Sequence, residues 1–185
     1  MRKTLKALLI ALVVSLSLGV ITACKKTEEP KKTKLESPAI ASTAYTGSVQ
    51  IATVPENEGY TVETNAGGIN VGDYEVVLTL TDSKKYEWAN PDTNDKTKVT
   101  LTFTITKATN EITALSLDGW AYGAQANEPT ATAKFGTATF TYATSENGTY
   151  TATVPIEAGN YWVKATVAGT TNYDEATKTA QFEIS

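Results

Sequence analysis

Residues 72–80 read Gly-Asp-Tyr-Glu-Val-Val-Leu-Thr-Leu, and residues 159–167 read Gly-Asn-Tyr-Trp-Val-Lys-Ala-Thr-Val. In both stretches apolar side chains occupy every second position, which is the period of a β-strand with one buried face. The side chains that this alternation turns inward are Tyr74, Val76, Leu78 and Leu80, and then Tyr161, Val163, Ala165 and Val167. Those that it turns outward are Glu75, Val77 and Thr79, and then Trp162, Lys164 and Thr166. From Ser37 onward the period of two recurs without a helical period, so we predict an all-β fold of antiparallel strands.

The spacing around these two stretches is also repeated. A second tyrosine, Tyr86 or Tyr173, follows the first after the same interval (86 − 74 = 173 − 161 = 12), and both copies later reach a Phe-x-Ile sequence at Phe103 and Phe182. These last strands are expected to point Val99, Leu101, Phe103 and Ile105 inward, and Ala180, Phe182 and Ile184 in the second copy. We therefore predict two small domains of one kind, residues 37–107 and 108–185, each with a marginal core of its own.

Between the two copies, residues 138–154 predict a β-hairpin. Arms rich in threonine and aromatic residues flank Ser145-Glu146-Asn147-Gly148, and Asn-Gly is a strong signal for a tight turn.

Several short motifs together resemble the immunoglobulin-like repeats of bacterial surface proteins. They are Tyr45-Thr46-Gly47, Gly59-Tyr60-Thr61-Val62, Asn70-Val71-Gly72-Asp73-Tyr74, Tyr86-Glu87-Trp88 and the stretch from Thr102 to Ala108, with similar motifs in the second copy. The resemblance implies two tandem immunoglobulin-like antiparallel β-sandwich domains. It also implies exposure on the cell surface, where such modules serve as stalks, spacers or adhesive units.

The N-terminal residues 1–23 have the organisation of a signal peptide. A cationic segment with Arg2, Lys3 and Lys6 precedes an apolar stretch that is marginal for a membrane span of roughly 20 residues, and small residues follow. Ile21, Thr22, Ala23 and Cys24 resemble the lipobox of bacterial lipoproteins. The resemblance implies cleavage between Ala23 and Cys24, acylation of Cys24, and an extracytoplasmic protein anchored by lipid to the bacterial cell or outer membrane. The alternative is an ordinary secretory signal with an incidental cysteine.

Residues 24–36 are predicted to be a lipidated, disordered tether. Eight of the twelve residues that follow Cys24 are charged and only Leu35 is aliphatic, so this segment cannot bury a core.

Composition excludes several classes of chemistry. The chain has no histidine and a single cysteine, which rules out an intrachain disulfide, a Ser-His or Cys-His nucleophile pair and zinc held by these residues. Cleavage would remove three of 16 basic side chains, leaving 13 against 20 acidic ones and a charge of −7. This sign does not attract nucleic acid. The scattered acids suggest no hydrolytic pair, and we expect neither an enzyme nor a cofactor.

Trp162 is the most informative side chain of the predicted domains. On an outward face it predicts a contact surface, with Lys164 beside it, for a sugar ring or a protein. The alternative is cover by the neighbouring domain or a loop. Trp88 and Trp120 lie near strand ends and are expected at the edges of the cores.

Asp92, Asn94 and Asp95 place three oxygen ligands in one loop, which indicates either a calcium site or, as we expect, a solvated loop without metal. Three functions remain open: a surface-displayed binding or adhesion module, a structural spacer with no ligand, and an accessory to a hydrolase.

Overall fold

The computed structural model describes residues 30–185. The predicted signal peptide, the cleavage site at Ala23 and Cys24, the lipidation of Cys24 and the first part of the tether lie outside the described residues. Residues from Lys31 to Ser185 form one compact unit. Within residues 30–185 every regular element is a strand, so the predicted all-β class is confirmed. This part of the chain contains no helix long and apolar enough to cross a membrane.

The first half of the described chain, residues 30–107, contains six strands. They are β1 (Thr33–Leu35), β2 (Thr43–Ala44), β3 (Tyr60–Asn65), β4 (Gly72–Leu80), β5 (Tyr86–Trp88) and β6 (Lys98–Thr106). A four-stranded sheet has the order β2-β6-β4-β3, in which β4 pairs antiparallel with β3 and β6 while β2 runs parallel to β6. β1 and β5 form a separate parallel pair.

The core of the first half is built from the side chains that the alternation predicted. Val76, Leu78 and Ile105 are fully buried, and Val99 and Phe103 are nearly so. Tyr74, Leu80 and Leu101, also predicted inward, are partly buried against this cluster. Trp88 belongs to the core, where its ring stacks on Tyr60 with centroids 5.4 Å apart. The predicted inward faces of β4 and β6 are therefore confirmed.

The second half, residues 108–185, contains five strands. They are β7 (Ile112–Ser116), β8 (Thr130–Ala133), β9 (Thr139–Ala143), β10 (Gly159–Val167) and β11 (Ala176–Ile184). β10 is the central strand of an antiparallel sheet and pairs with β9 on one side and β11 on the other, while β7 and β8 form a second antiparallel pair.

The core of the second half lies under β10. Val163, Ala165 and Val167 are buried, as the alternation predicted. Tyr161 packs against the cluster that contains Val163, and Ala165 and Val167 belong to a second cluster. On β11 the predicted inward face is confirmed, with Phe182 and Ile184 buried and Ala180 packed against them. Trp120 stacks on Phe182 with ring centroids 5.2 Å apart, which makes it part of the core.

The predicted hairpin at residues 138–154 is present, although its second arm is short. The Gly148 N–H donates to the Ser145 carbonyl at 3.0 Å, which closes the turn at the predicted place. Tyr142 and Thr151 then exchange two backbone hydrogen bonds of 2.7 and 2.9 Å. This single bridge replaces a full strand after the turn.

The prediction that residues up to 36 are a disordered tether is wrong for Thr33–Leu35, which form β1. The Thr33 N–H donates to the Lys85 carbonyl at 2.8 Å, and the Ala89 N–H donates to the Leu35 carbonyl at 2.9 Å. Leu35 also packs against the core of the first half. The edge of β5 supplies the backbone partners and one leucine supplies the apolar contact, so a charged segment becomes ordered despite its composition.

Candidate functional site

The outward face of β10 carries Trp162, Lys164 and Thr166, as the alternation predicted. Because residues paired across an antiparallel sheet share a face, Trp162 lies between Ala143 of β9 and Gln181 of β11. Lys164 lies between Thr141 and Thr179 in the same way. We call this surface, from Trp162 to Thr166 with its paired neighbours, the β10 outer face. Its scaffold is rigid, because β10 has a partner strand on both sides.

Trp162 and Lys164 are both partly buried on this face. The Lys164 ammonium lies 3.8 Å from the centroid of the Tyr150 ring, a cation–π contact that joins the turn after β9 to the sheet. The Tyr150 hydroxyl donates to the Glu146 carbonyl at 2.9 Å, which fixes the ring over Lys164. Burial, followed by the charge of Glu146, raises the pKa of Tyr150 above its ordinary value of 10.0.

Tyr150 is the member of this face that sequence reasoning did not identify. The Asn-Gly turn contained a signal, since the hairpin that it predicts returns Tyr150 opposite the end of β9. Tyr142 pairs with Thr151, which places Tyr150 level with Ala143 and therefore near Trp162 and Lys164. This face thus carries one indole, one phenol ring and one ammonium group, and the last two are in contact.

A cleft of about 230 Å³ lies at the same end of the sheet, and its lining contains the inward-facing Tyr142 and Tyr161 rather than Trp162, Lys164 or Tyr150. Its walls combine aromatic rings with hydroxyl groups, and they include Tyr142, Ala143, Thr149, Thr151, Pro155 and Tyr161. Burial raises the pKa of Tyr142, with a smaller contribution from Glu128.

The acidic loop between β5 and β6 uses its carboxylates to hold itself together. Asp92 accepts hydrogen bonds from the Thr100 N–H at 3.0 Å and the Thr100 hydroxyl at 2.8 Å. Asp95 accepts from the Thr97 N–H at 2.9 Å and the Thr97 hydroxyl at 2.6 Å. These bonds lower the pKa of Asp95, the hydroxyl bond most of all. Two of the three candidate calcium ligands are therefore engaged with threonines, Asp95 with Thr97 of the loop and Asp92 with Thr100 of β6.

Across residues 30–185 no three His, Cys, Asp or Glu side chains come together in a way that could hold a metal ion. Of the residues that the sequence singled out, the structure brings Trp162 and Lys164 together on one face. It places Asp92 against Thr100 of β6 and Asp95 against Thr97. Ala23 and Cys24 precede the part of the chain that is described.

The chain matches no protein-family model, no curated protein and no solved structure.

Proposed function

We propose that this protein is a bacterial lipoprotein, held to a membrane by lipid on Cys24, that displays two immunoglobulin-like domains on the cell surface. We propose further that it binds a glycan or a protein through the β10 outer face. The all-β architecture supports the first part. In each half a short segment runs parallel to the last strand, with Tyr45 N–H donating to Thr106 and Tyr122 N–H donating to Ser185. Each half also has a hydrophobic core of its own.

The observation that carries the binding proposal is a comparison of the two halves. Gly72 corresponds to Gly159 in the repeated pattern, so Glu75 corresponds to Trp162 and Val77 to Lys164. Glu75 is exposed, which shows that this scaffold does not need an indole at that position. A tryptophan on a sheet face with no core role is typical of a contact surface, because tryptophan is among the residues most enriched at binding hot spots.

The lipid anchor would hold the domains close to the membrane. Since β1 begins at Thr33, eight residues, 25–32, separate Cys24 from this strand. Fully extended, such a segment spans at most about 26–29 Å. Metabolic labelling with a palmitate analogue tests the anchor, and we expect label on the wild-type protein and none on a Cys24→Ala variant. Label that persists in the variant would overturn it.

Binding is tested with soluble residues 31–185 on glycan and extracellular-matrix arrays. Trp162→Ala should abolish binding, and Lys164→Ala should weaken it by removing the ammonium group above Tyr150. The matched control is Glu75→Ala, which changes the same position in the first half and should bind as the wild type does. Binding that survives Trp162→Ala would discard this face as the site.

A second function, a structural spacer with no ligand of its own, is favoured by a separate observation. Trp162 is partly buried and Lys164 already has an aromatic partner within the chain, so both side chains have a role in packing. The same arrays decide between the two functions, because absence of binding by the wild-type protein and all three variants would favour the spacer.

A further inference from the structure

The two halves of the chain meet through a small, defined contact. The Asn172 side chain accepts a hydrogen bond from the Val71 N–H at 3.0 Å and donates one to the Asn70 side chain, also at 3.0 Å. Beside it the Tyr45 ring meets the Tyr173 ring edge to face, with centroids 5.3 Å apart. One end of the first half therefore docks on the Asn172-Tyr173 loop of the second half.

The corresponding end of the second half is exposed. The repeated pattern aligns Asn70 with Glu157. Tyr45 corresponds to Tyr122 in the segments that run beside the last strand of each half. Each of these tyrosines follows an alanine and donates its N–H to the end of that last strand. Tyr122 is 62% exposed, and Ile156, which precedes Glu157, is 74% exposed. We call Tyr122, Ile156 and Glu157 the end face.

The loop of the first half that corresponds to Asn172-Tyr173 is Lys85-Tyr86. The backbone establishes this match, because Thr33 donates its N–H to the Lys85 carbonyl at 2.8 Å just as Ala108 donates to the Asn172 carbonyl at 2.9 Å. The neutral pair Asn70 and Asn172 is thereby replaced by Glu157 and Lys85, which carry opposite charges. Both residues are exposed and available to a partner.

We propose that this protein associates head to tail with itself, the end face of one copy docking on the Lys85-Tyr86 loop of a second copy. The contact repeats the one between the two halves, with an ion pair between Glu157 and Lys85 in place of the two asparagines. In the single chain the Lys85 ammonium lies over the Tyr86 ring, 4.8 Å from its centroid. Tyr86 is 5% exposed in this arrangement, so a contact with Tyr122 requires Lys85 to turn toward Glu157. Because the two surfaces differ, the contact leaves a free end on each copy and extends into linear assemblies.

The association is expected to be weak. Inside the chain the same contact is assisted by the covalent link at Lys107, which supplies a high effective concentration that separate copies lack. Two side-chain pairs are far less than a standard stable interface of about 1,600 Å². An exposed ion pair at its centre is screened by salt. This inference needs neither the lipid anchor nor a ligand at the β10 outer face.

The test is sedimentation of residues 31–185, from about 10 μM to about 1 mM, a range that suits a small interface. We expect the average mass to rise with concentration and the rise to diminish between about 50 mM and about 500 mM NaCl. Glu157→Lys and Lys85→Glu should each weaken association about three- to tenfold, because each places like charges opposite one another. The double variant restores an opposite pair and should associate to within about twofold of the wild type.

Two further variants complete the design. Tyr122→Ser should weaken association without a change of charge, whereas Glu75→Lys, on the exposed face of β4, matches the charge change of Glu157→Lys and should have no effect. A protein that stays monomeric at every concentration overturns the proposal. Association that the single variants leave unchanged, or that the double variant fails to restore, places the contact elsewhere and overturns it as well.

Discussion

Tyr74 and Tyr161 occupy matching positions in the two halves and make the same hydrogen bond. The Tyr74 hydroxyl donates to the carbonyl of Asn70 at 2.7 Å, and the Tyr161 hydroxyl donates to the carbonyl of Glu157 at 3.0 Å. Both acceptors lie four residues before the tyrosine. Each bond therefore ties the entry of a long central strand to the segment that leads into it, and the ring below the hydroxyl packs on the core.

Removing either hydroxyl should destabilise its own half. We expect Tyr74→Phe and Tyr161→Phe each to lower the free energy of unfolding by about 0.5–1.5 kcal/mol, the net contribution of one hydrogen bond, while the ring contacts stay in place. Urea unfolding at neutral pH measures both. Tyr122→Phe is the control, since that exposed side chain should tolerate the change. Equal stability of all three variants would show that the shared hydrogen bond contributes nothing.

Leu35 should contribute to stability although it follows a charged segment. It packs against the core of the first half, and its methyl groups fill the space beside Gly59. We expect Leu35→Ala to cost about 1–2 kcal/mol, less than a fully buried leucine because the side chain is partly exposed. Lys34→Ala, one residue away and exposed, should cost less than about 0.5 kcal/mol. Indistinguishable unfolding curves for the two variants would show that Leu35 does not stabilise the first half and behaves as part of the tether.

These residues show how far the sequence determines the fold. The faces of β4, β6, β10 and β11 were predictable because alternation is local, and burial follows it residue by residue. The order of β1 was not, because it depends on the free edge of β5, some fifty residues further along the chain. Composition describes a segment alone, whereas a strand needs a partner.

The same distinction applies to the candidate site. The outward direction of Trp162 and Lys164 follows from the period of two. The position of Tyr150 above Lys164 depends on the path of the chain after the turn at residues 145–148, which strand periodicity does not describe. The proposed pairing of Glu157 with Lys85 of a second copy follows from the alignment of the two halves in space.

Gly67 is a position where the backbone requires glycine for two reasons. Its φ is +58°, and an added Cβ would collide with the carbonyl of Gln50, whose strand-like bridge to Gly68 holds the two segments together. Gly123 has a φ of +80° and open space around it. We expect Gly123→Ala to cost about 1 kcal/mol from backbone strain alone. Gly67→Ala should cost at least about 2 kcal/mol, because the collision adds to this strain.

Thermal and urea unfolding of the two glycine variants compare strain with and without the collision. The difference between them is the informative quantity, since both carry the same change in side chain and in the unfolded chain. Equal losses would mean that the Gln50 segment moves aside freely, and that its bridge to Gly68 is not a constraint on this part of the first half.

Asp95 should make the stability of the loop before β6 depend on pH. The Thr97 hydroxyl, and after it the Thr97 N–H, hold the pKa of Asp95 below its ordinary value of 3.8. A carboxylate whose pKa is lowered by folding contributes stability that is fully present above its unfolded pKa of about 3.9. That contribution is lost as the pH falls through the lower folded value, because the proton that binds removes the charged acceptor.

Urea titrations of the wild type and Asp95→Asn at a series of pH values measure this contribution. The wild type should be the more stable protein at pH 7, and the difference should shrink steadily below about pH 4 as Asp95 becomes neutral. Thr97→Val keeps the backbone donor and removes the hydroxyl, the larger cause of the pKa shift. The difference in free energy of unfolding between Thr97→Val and Asp95→Asn should therefore depend less on pH than the difference between the wild type and Asp95→Asn. A difference that is constant from neutral to acidic pH would show that the Asp95 charge does not stabilise the loop, whatever hydrogen bonds its oxygens accept.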